Sequence, residues 1–107
     1  MHFDEDNKME LKEIVNNTLP KEIVAFLNTE GGAIFIGVNK DGNIVGVKDM
    51  DDSMRRIADV STDQISPRCV SYISQKRVMI DGRAAIRIDV KKGNQLFYVK
   101  KYGLSEN

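Results

Sequence analysis

The stretch Ala25-Phe26-Leu27-Asn28-Thr29-Glu30-Gly31-Gly32-Ala33-Ile34-Phe35-Ile36-Gly37-Val38, with Asp41-Gly42 and Val45-Gly46 close behind it, decides the reading of this chain. It runs from the end of an amphipathic helix through a two-glycine reversal into a strand that is apolar on both faces, as a central strand must be. Leu19, Ile23, Phe26 and Leu27 repeat at helical spacing, so the helix spans about Leu19 to Asn28. Asn17-Thr18 supplies its cap, Pro20 sits in its first turn, and Gly31-Gly32 ends it. Beyond the strand, Asn39-Lys40-Asp41-Gly42 reads as a tight turn, with Asn43 to Val47 returning as an antiparallel partner.

Two glycines beside a strand invite comparison with a phosphate cradle, but the direction is wrong. Anion-binding glycine loops lead from a strand into a helix N-terminus, where free N–H groups and the positive dipole end meet the phosphate. Here the glycines follow a helix, and neither G-x-x-x-x-G-K-[ST] nor G-x-G-x-x-G occurs. The glycines therefore read as a helix stop.

Working outward, Met9 to Val15 reads as a short first strand. Asp49, Asp51, Asp52 and Ser53 open a second helix, whose inner face is Met50, Met54, Ile57, Ala58, Ser61 and Ile65, and which Pro67 stops. Val70 to Ile80, Asp81-Gly82 and Arg83 to Lys91 form a hairpin. In its second arm Ala84, Ile86, Ile88 and Val90 share a core face, while Arg83, Ala85, Arg87, Asp89 and Lys91 share a wet one. Gln95 to Lys101 reads as a final edge strand. The fold class is α+β: a mixed, mostly antiparallel sheet with two helices packed on one face. No repeat, low-complexity tract or linker divides the 107 residues, which read as a single domain. The closing Tyr102-Gly103-Leu104-Ser105-Glu106-Asn107 reads as a loop feeding a further strand, which suggests truncation of a longer protein.

Composition is that of an ordinary globular domain, with 41% apolar and 30% charged residues. A single cysteine, Cys69, points to a reducing, cytoplasmic setting, and no apolar run is long enough to span a membrane. With His2 as the sole histidine, there is no Cys/His metal cluster and no base for a cysteine nucleophile; no G-x-S-x-G elbow appears either. The formal net charge of zero hides a division: residues 1–67 carry 7 Lys/Arg against 13 Asp/Glu, and residues 68–107 carry 9 against 3. Such asymmetry suits a polyanion partner or self-association, and it also suits two halves that neutralise each other within the fold.

Two constellations offer chemistry. Lys76, Arg77, Arg83, Arg87, Lys91, Lys92, Lys100 and Lys101 lie on the hairpin and the last strand, interleaved with Tyr72, Phe97, Tyr98 and Tyr102. Cations over a sheet with aromatics nearby suit a surface that tracks a nucleic-acid backbone, although a solvated sheet face over an aromatic core has the same pattern. Phe97 and Tyr98 are adjacent, so at most one of them points outward. The second constellation is acidic: Glu5 and Glu10 approach the Asp41 turn if the first strand pairs with the central one, and converging carboxylates can hold Mg²⁺ or Mn²⁺. Solvated surface carboxylates are the plainer reading of the same residues.

Glu10-Leu11-Lys12, the run from Ile23 to Gly32, Ile36-Gly37-Val38 and Asp41-Gly42-Asn43-Ile44-Val45-Gly46 together resemble the AlbA-type Schlafen domain. That family reads E-x-x-x-x-E-F-K, A-F-A-N-T-x-G-G, I-G-V and D-G-x-I-x-G, and its aromatic-x-Lys-x-x-Gly segment resembles Tyr98 to Gly103. Asn28, Thr29, Gly31, Gly32, Gly37, Gly42 and Gly46 carry the structural motif. The resemblance implies a DNA-binding module of a bacterial transcriptional regulator or helicase-related protein, with DNA or RNA as partner and a homodimer as assembly. It also implies two alternatives. One is a Schlafen-type nuclease using Glu5, Glu10 and Asp41, which alone would call for Mg²⁺ or Mn²⁺; the other is an ATP-binding domain, while the opposite charges of the two halves suit a further reading, a dimerisation or interaction lobe. The third acidic position of the family's nucleases falls on Lys40, with Asp41 its only acidic neighbour, and Leu11 replaces the family's phenylalanine. Both departures count against catalysis.

Overall fold

The computed structural model describes residues 6–102. Its elements in chain order are β1 (Met9–Lys12), α1 (Leu19–Leu27), β2 (Gly32–Ile36), α2 (Met50–Asp63), β3 (Ile65–Ser66), a single 3₁₀ turn (Val70–Tyr72), β4 (Ile73–Ile80), β5 (Arg83–Val90) and β6 (Tyr98–Val99). The main sheet has four strands in the order β1-β2-β5-β4, with β1 parallel to β2 and the other pairs antiparallel. Both helices lie on one face of it. Leu19, Ile23, Phe26 and Leu27 of α1 and Ile57 and Val60 of α2 close over Ile34, Ile36, Ile86, Ile88 and Val90. The fold is therefore the α+β arrangement that the strand and helix patterning implies, with β2 at its centre.

The Ala25–Gly32 motif is a structural lock. Asn28 clamps the backbone of Phe97 from both sides: its Oδ1 accepts the Phe97 N–H at 2.9 Å and its Nδ2 donates to the Phe97 carbonyl at 2.9 Å. That pair ties the end of α1 to a segment 69 residues away, and the Phe97 ring is buried in the core. Thr29 Oγ1 donates to the Ala25 carbonyl at 2.7 Å. Gly31, at φ +81°, donates its N–H to the Phe26 carbonyl, and a Cβ there would meet the Val90 carbonyl oxygen at 2.6 Å. Any side chain at Gly31 would thus push the helix end off β5.

Several expectations need correction. No strand forms over 43–47: Val38 and Ile44 share one isolated bridge, and the N–H groups of Val45 and Gly46 both donate to the Gly37 carbonyl. Gly37 is at φ +100° and a Cβ on it would approach Gly46 C at 3.1 Å, so the chain coils back on itself instead of extending. α2 ends at Asp63, before Pro67; Ile65 belongs to β3 and Ala58 is exposed, its place in the buried stripe taken by Val60. β6 does not join the main sheet. It pairs with β3 in a separate two-stranded ribbon, held beside α1 by the Asn28 clamp. Thr18 is the N-cap residue of α1, as expected, but its side chain makes no capping bond, and its hydroxyl instead accepts from Lys12 Nζ at 2.7 Å.

Candidate nucleic-acid interface

Because strand side chains alternate, the residues of the main sheet that do not face the helices must face away from them. Register places Leu11, Phe35, Arg87 and Lys76 in one row across all four strands on that second face. The neighbouring row is Met9, Ala33, Asp89 and Ser74. Toward the hairpin tip, Ala85 faces Val78 and Arg83 faces Ile80. The tip itself is a two-residue turn with Asp81 at φ 51° and Gly82 at φ 80°, both left-handed as a type I′ hairpin requires.

This face is not uniformly wet, as the alternation alone suggested. Leu11, Ala33, Phe35 and Val38 form a small buried cluster with Met9 and Ile44, and Ala85 is fully buried. Upon this apolar floor lies Arg87. Its guanidinium carbon is 5.5 Å from the Phe35 ring centroid and its Nε donates to Asp89 Oδ1 at 2.9 Å. The cation–π contact and the ion pair together position the guanidinium, and the Arg87 side chain remains partly exposed. Lys76 is exposed beside it. Arg83 reaches the Ile44 carbonyl at 3.5 Å, and exposed Lys91 follows the end of β5. Arg83 and Arg87 stand four residues apart on one strand, or about 13 Å.

The remaining cations expected at this site lie elsewhere. Arg77 pairs with Ile86 and so shares the helix-side face. Lys92 turns to Glu30, at 3.7 Å. Lys100 and Lys101 follow β6 on the helix layer, where Lys101 and Lys21 lie 5.7 and 5.2 Å from the Tyr102 ring. Of the aromatics, Phe97 is buried and Tyr72 packs edge-on against it at 5.6 Å, its hydroxyl donating to Asn94 Oδ1. The aromatic that serves the cationic face is Phe35, which a reading of the central strand as core on both sides passes over; its pairing with Arg87 follows only from register.

The acidic constellation has a different character. Glu5 lies outside the described residues. Glu10 Oε2 accepts from Lys40 Nζ at 2.8 Å, so among the described residues this carboxylate is paired with an exposed lysine. Asp41 is exposed in the turn, its N–H bonded to Asn39 Oδ1. Lys12, on the same strand as Glu10, is drawn the other way, its buried ammonium pairing with the half-buried Glu22 at 3.0 Å. Among the described residues, no three His, Cys, Asp or Glu side chains converge as metal ligands. Cys69 is buried among Ile57, Val60 and their neighbours, and burial raises its thiol above the ordinary value.

A four-stranded mixed sheet backed by two helices, with Arg87 over Phe35 on its open face, defines a compact α+β domain. The chain matches the family model described as Schlafen, AlbA_2 over residues 5–105, and it belongs to that family. Its fold is also similar to that of the DIP2311 protein from Corynebacterium diphtheriae, with a TM-score of 0.64 and 18% identity over 89% of this chain. The match covers 20% of that protein, so this chain spans about a fifth of its length. Among the described residues no helix is long and apolar enough to cross a membrane.

Proposed function

We propose that this domain is a DNA-binding module of a transcriptional regulator and that it contacts phosphates through the open sheet face. The observation that carries this reading is the row Phe35–Arg87–Lys76, in which a guanidinium in cation–π contact with a ring and paired with a carboxylate lies beside an exposed ammonium. Arg83 on β5 and Lys91 just past its end flank the row. Phosphate contacts of this kind position a duplex without reading its bases, so binding should be weakly sequence-selective and strongly salt-dependent. The interface is narrower than composition suggests: Lys76, Arg83, Arg87 and Lys91 form it, while Arg77, Lys92, Lys100 and Lys101 lie off it. A homodimer is the proposed assembly, the acidic part of one copy complementing the basic part of the other, and the cytoplasm is the proposed setting.

The experiment is a titration of fluorescent duplex DNA at several salt concentrations, repeated with single-stranded RNA. Salt-sensitive binding that weakens in Arg83→Glu, Arg87→Glu and Lys91→Glu supports the reading; tighter binding to RNA reassigns the partner. The Lys40–Glu10 ion pair disfavours the nuclease alternative. Cleavage in Mn²⁺ that disappears in Glu10→Ala would restore it.

A further inference from the structure

The two edges of the main sheet differ. At β1, a strand of four residues, Met9 exchanges backbone hydrogen bonds with Asp6. At β4 the edge is eight residues long. Its ladder to β5 is fixed by the two-residue turn and by the Lys91 N–H donating to the Tyr72 carbonyl, so Ser74, Lys76, Val78 and Ile80 spend their backbone groups on β5. The N–H and C=O groups of Gln75, Arg77 and Met79 therefore point outward, and among the described residues none has a backbone partner. Ile73 has the same orientation, but its N–H is taken by the Val70 carbonyl. Beside this edge, α2 and the 3₁₀ turn leave a groove of about 200 Å³ lined chiefly by Ile57, Ala58, Val70, Ile73 and Gln75. The Gln75 side chain donates from Nε2 to the Met54 carbonyl, while its Oε1 is buried without a partner.

We infer that the β4 edge accepts an added strand from a protein partner whose sequence alternates apolar and acidic residues. Residues of such a strand opposite Ile73 and Gln75 would point to the helix side, into the groove. Those opposite Ser74 and Lys76 would point to the other face, where Lys76 and Arg87 sit side by side and favour carboxylates. A second β4 is disfavoured as the occupant in the registers of fullest overlap. Self-pairing through the outward groups, centred on Lys76 or on Arg77, would set like cations opposite each other at the middle of the new pair. The inference stands apart from the nucleic-acid reading, because the strand is held by backbone and groove. The two would meet at Lys76, where an acidic strand would compete with phosphate.

The test uses a labelled eight-residue peptide of alternating glutamate and valine, with a lysine–valine peptide of the same pattern as control, and no nucleic acid present. Saturable binding of the glutamate peptide is expected, at least about tenfold tighter than the control, with slowed amide exchange at Gln75, Arg77 and Met79. Ala58→Arg, an exposed helix position whose change fills the groove without touching the core, should weaken binding about tenfold, and Lys76→Glu several-fold. Absence of binding, equal binding of the two peptides, or indifference to Ala58→Arg overturns the inference. Exchange at those amides that already slows with protein concentration overturns it too, since a second copy would then hold the edge.

Discussion

The two faces of the sheet are made from alternate residues of the same strands, and they solve opposite problems. On one face Ile34, Ile36, Ile86, Ile88 and Val90 meet two helices and lose their water. On the other, one residue along each strand, Phe35 and Ala85 supply an apolar floor on which Arg87 and its neighbours remain half-buried or exposed. The difference teaches that the second face is neither bare solvent surface nor core. A charged group kept on an apolar floor is more rigid and less hydrated than one on a solvated strand, which suits it to a fixed anion.

The strongest way to break that contrast is to truncate adjacent residues of β5. Ile86→Ala should cost about 2–5 kcal/mol of unfolding free energy, because it removes a fully buried side chain and leaves a cavity. Arg87→Ala, one position on, should cost less than about 1 kcal/mol, since its ion pair with Asp89 is well exposed. Urea melts of the two variants check this; equal losses would mean that the open face is core. Next in size is Lys12→Met, which leaves Glu22 with its carboxylate half-buried and should cost about 1–3 kcal/mol, part of it recovered in the double change with Glu22→Leu. At the hairpin tip, Gly82→Ala should cost about 1 kcal/mol, through φ +80° alone, because nothing lies near the added methyl.

The smallest expected effect lies in the pH dependence. Burial raises the folded Cys69 thiol above its ordinary 9.0, so the folded state holds that proton more tightly than the unfolded chain does. The stability this supplies is fully present below the unfolded thiol's value and is lost as pH rises through the folded one. Urea midpoints measured from about pH 7 to about pH 10 should fall less steeply in Cys69→Ala than in the parent chain.

Much of this fold was legible in the residues. The period of Leu19 to Leu27, the glycine pair, the apolar run from Ala33 and the Asp81-Gly82 hairpin each carry a local physical signal, and all four appear where that signal places them. What could not be read is long-range. Nothing near Tyr98 says that it pairs with Ser66, and nothing near Asn28 says that its amide clamps Phe97. The site was legible in part for the same reason. Alternation separates Arg87 from Ile86, but only the register of three strands puts Arg87 over Phe35 and beside Lys76, and sends Lys100 and Lys101 to another layer. The strand expected over 43–47 also failed to form, because Gly37 and Gly46, both at positive φ, coil the chain back on itself.

The most direct test of the open face as the interface is the slope of DNA affinity against salt for the parent chain, for the triple change Arg83→Glu, Arg87→Glu and Lys91→Glu, and for a second triple change at Lys21, Lys100 and Lys101. The account predicts that the first triple lowers affinity and flattens the log–log slope by about 3, one for each phosphate left without its cation, while the second leaves the slope nearly unchanged. A slope that survives the first triple and collapses in the second would place the interface on the helix layer and contradict the account.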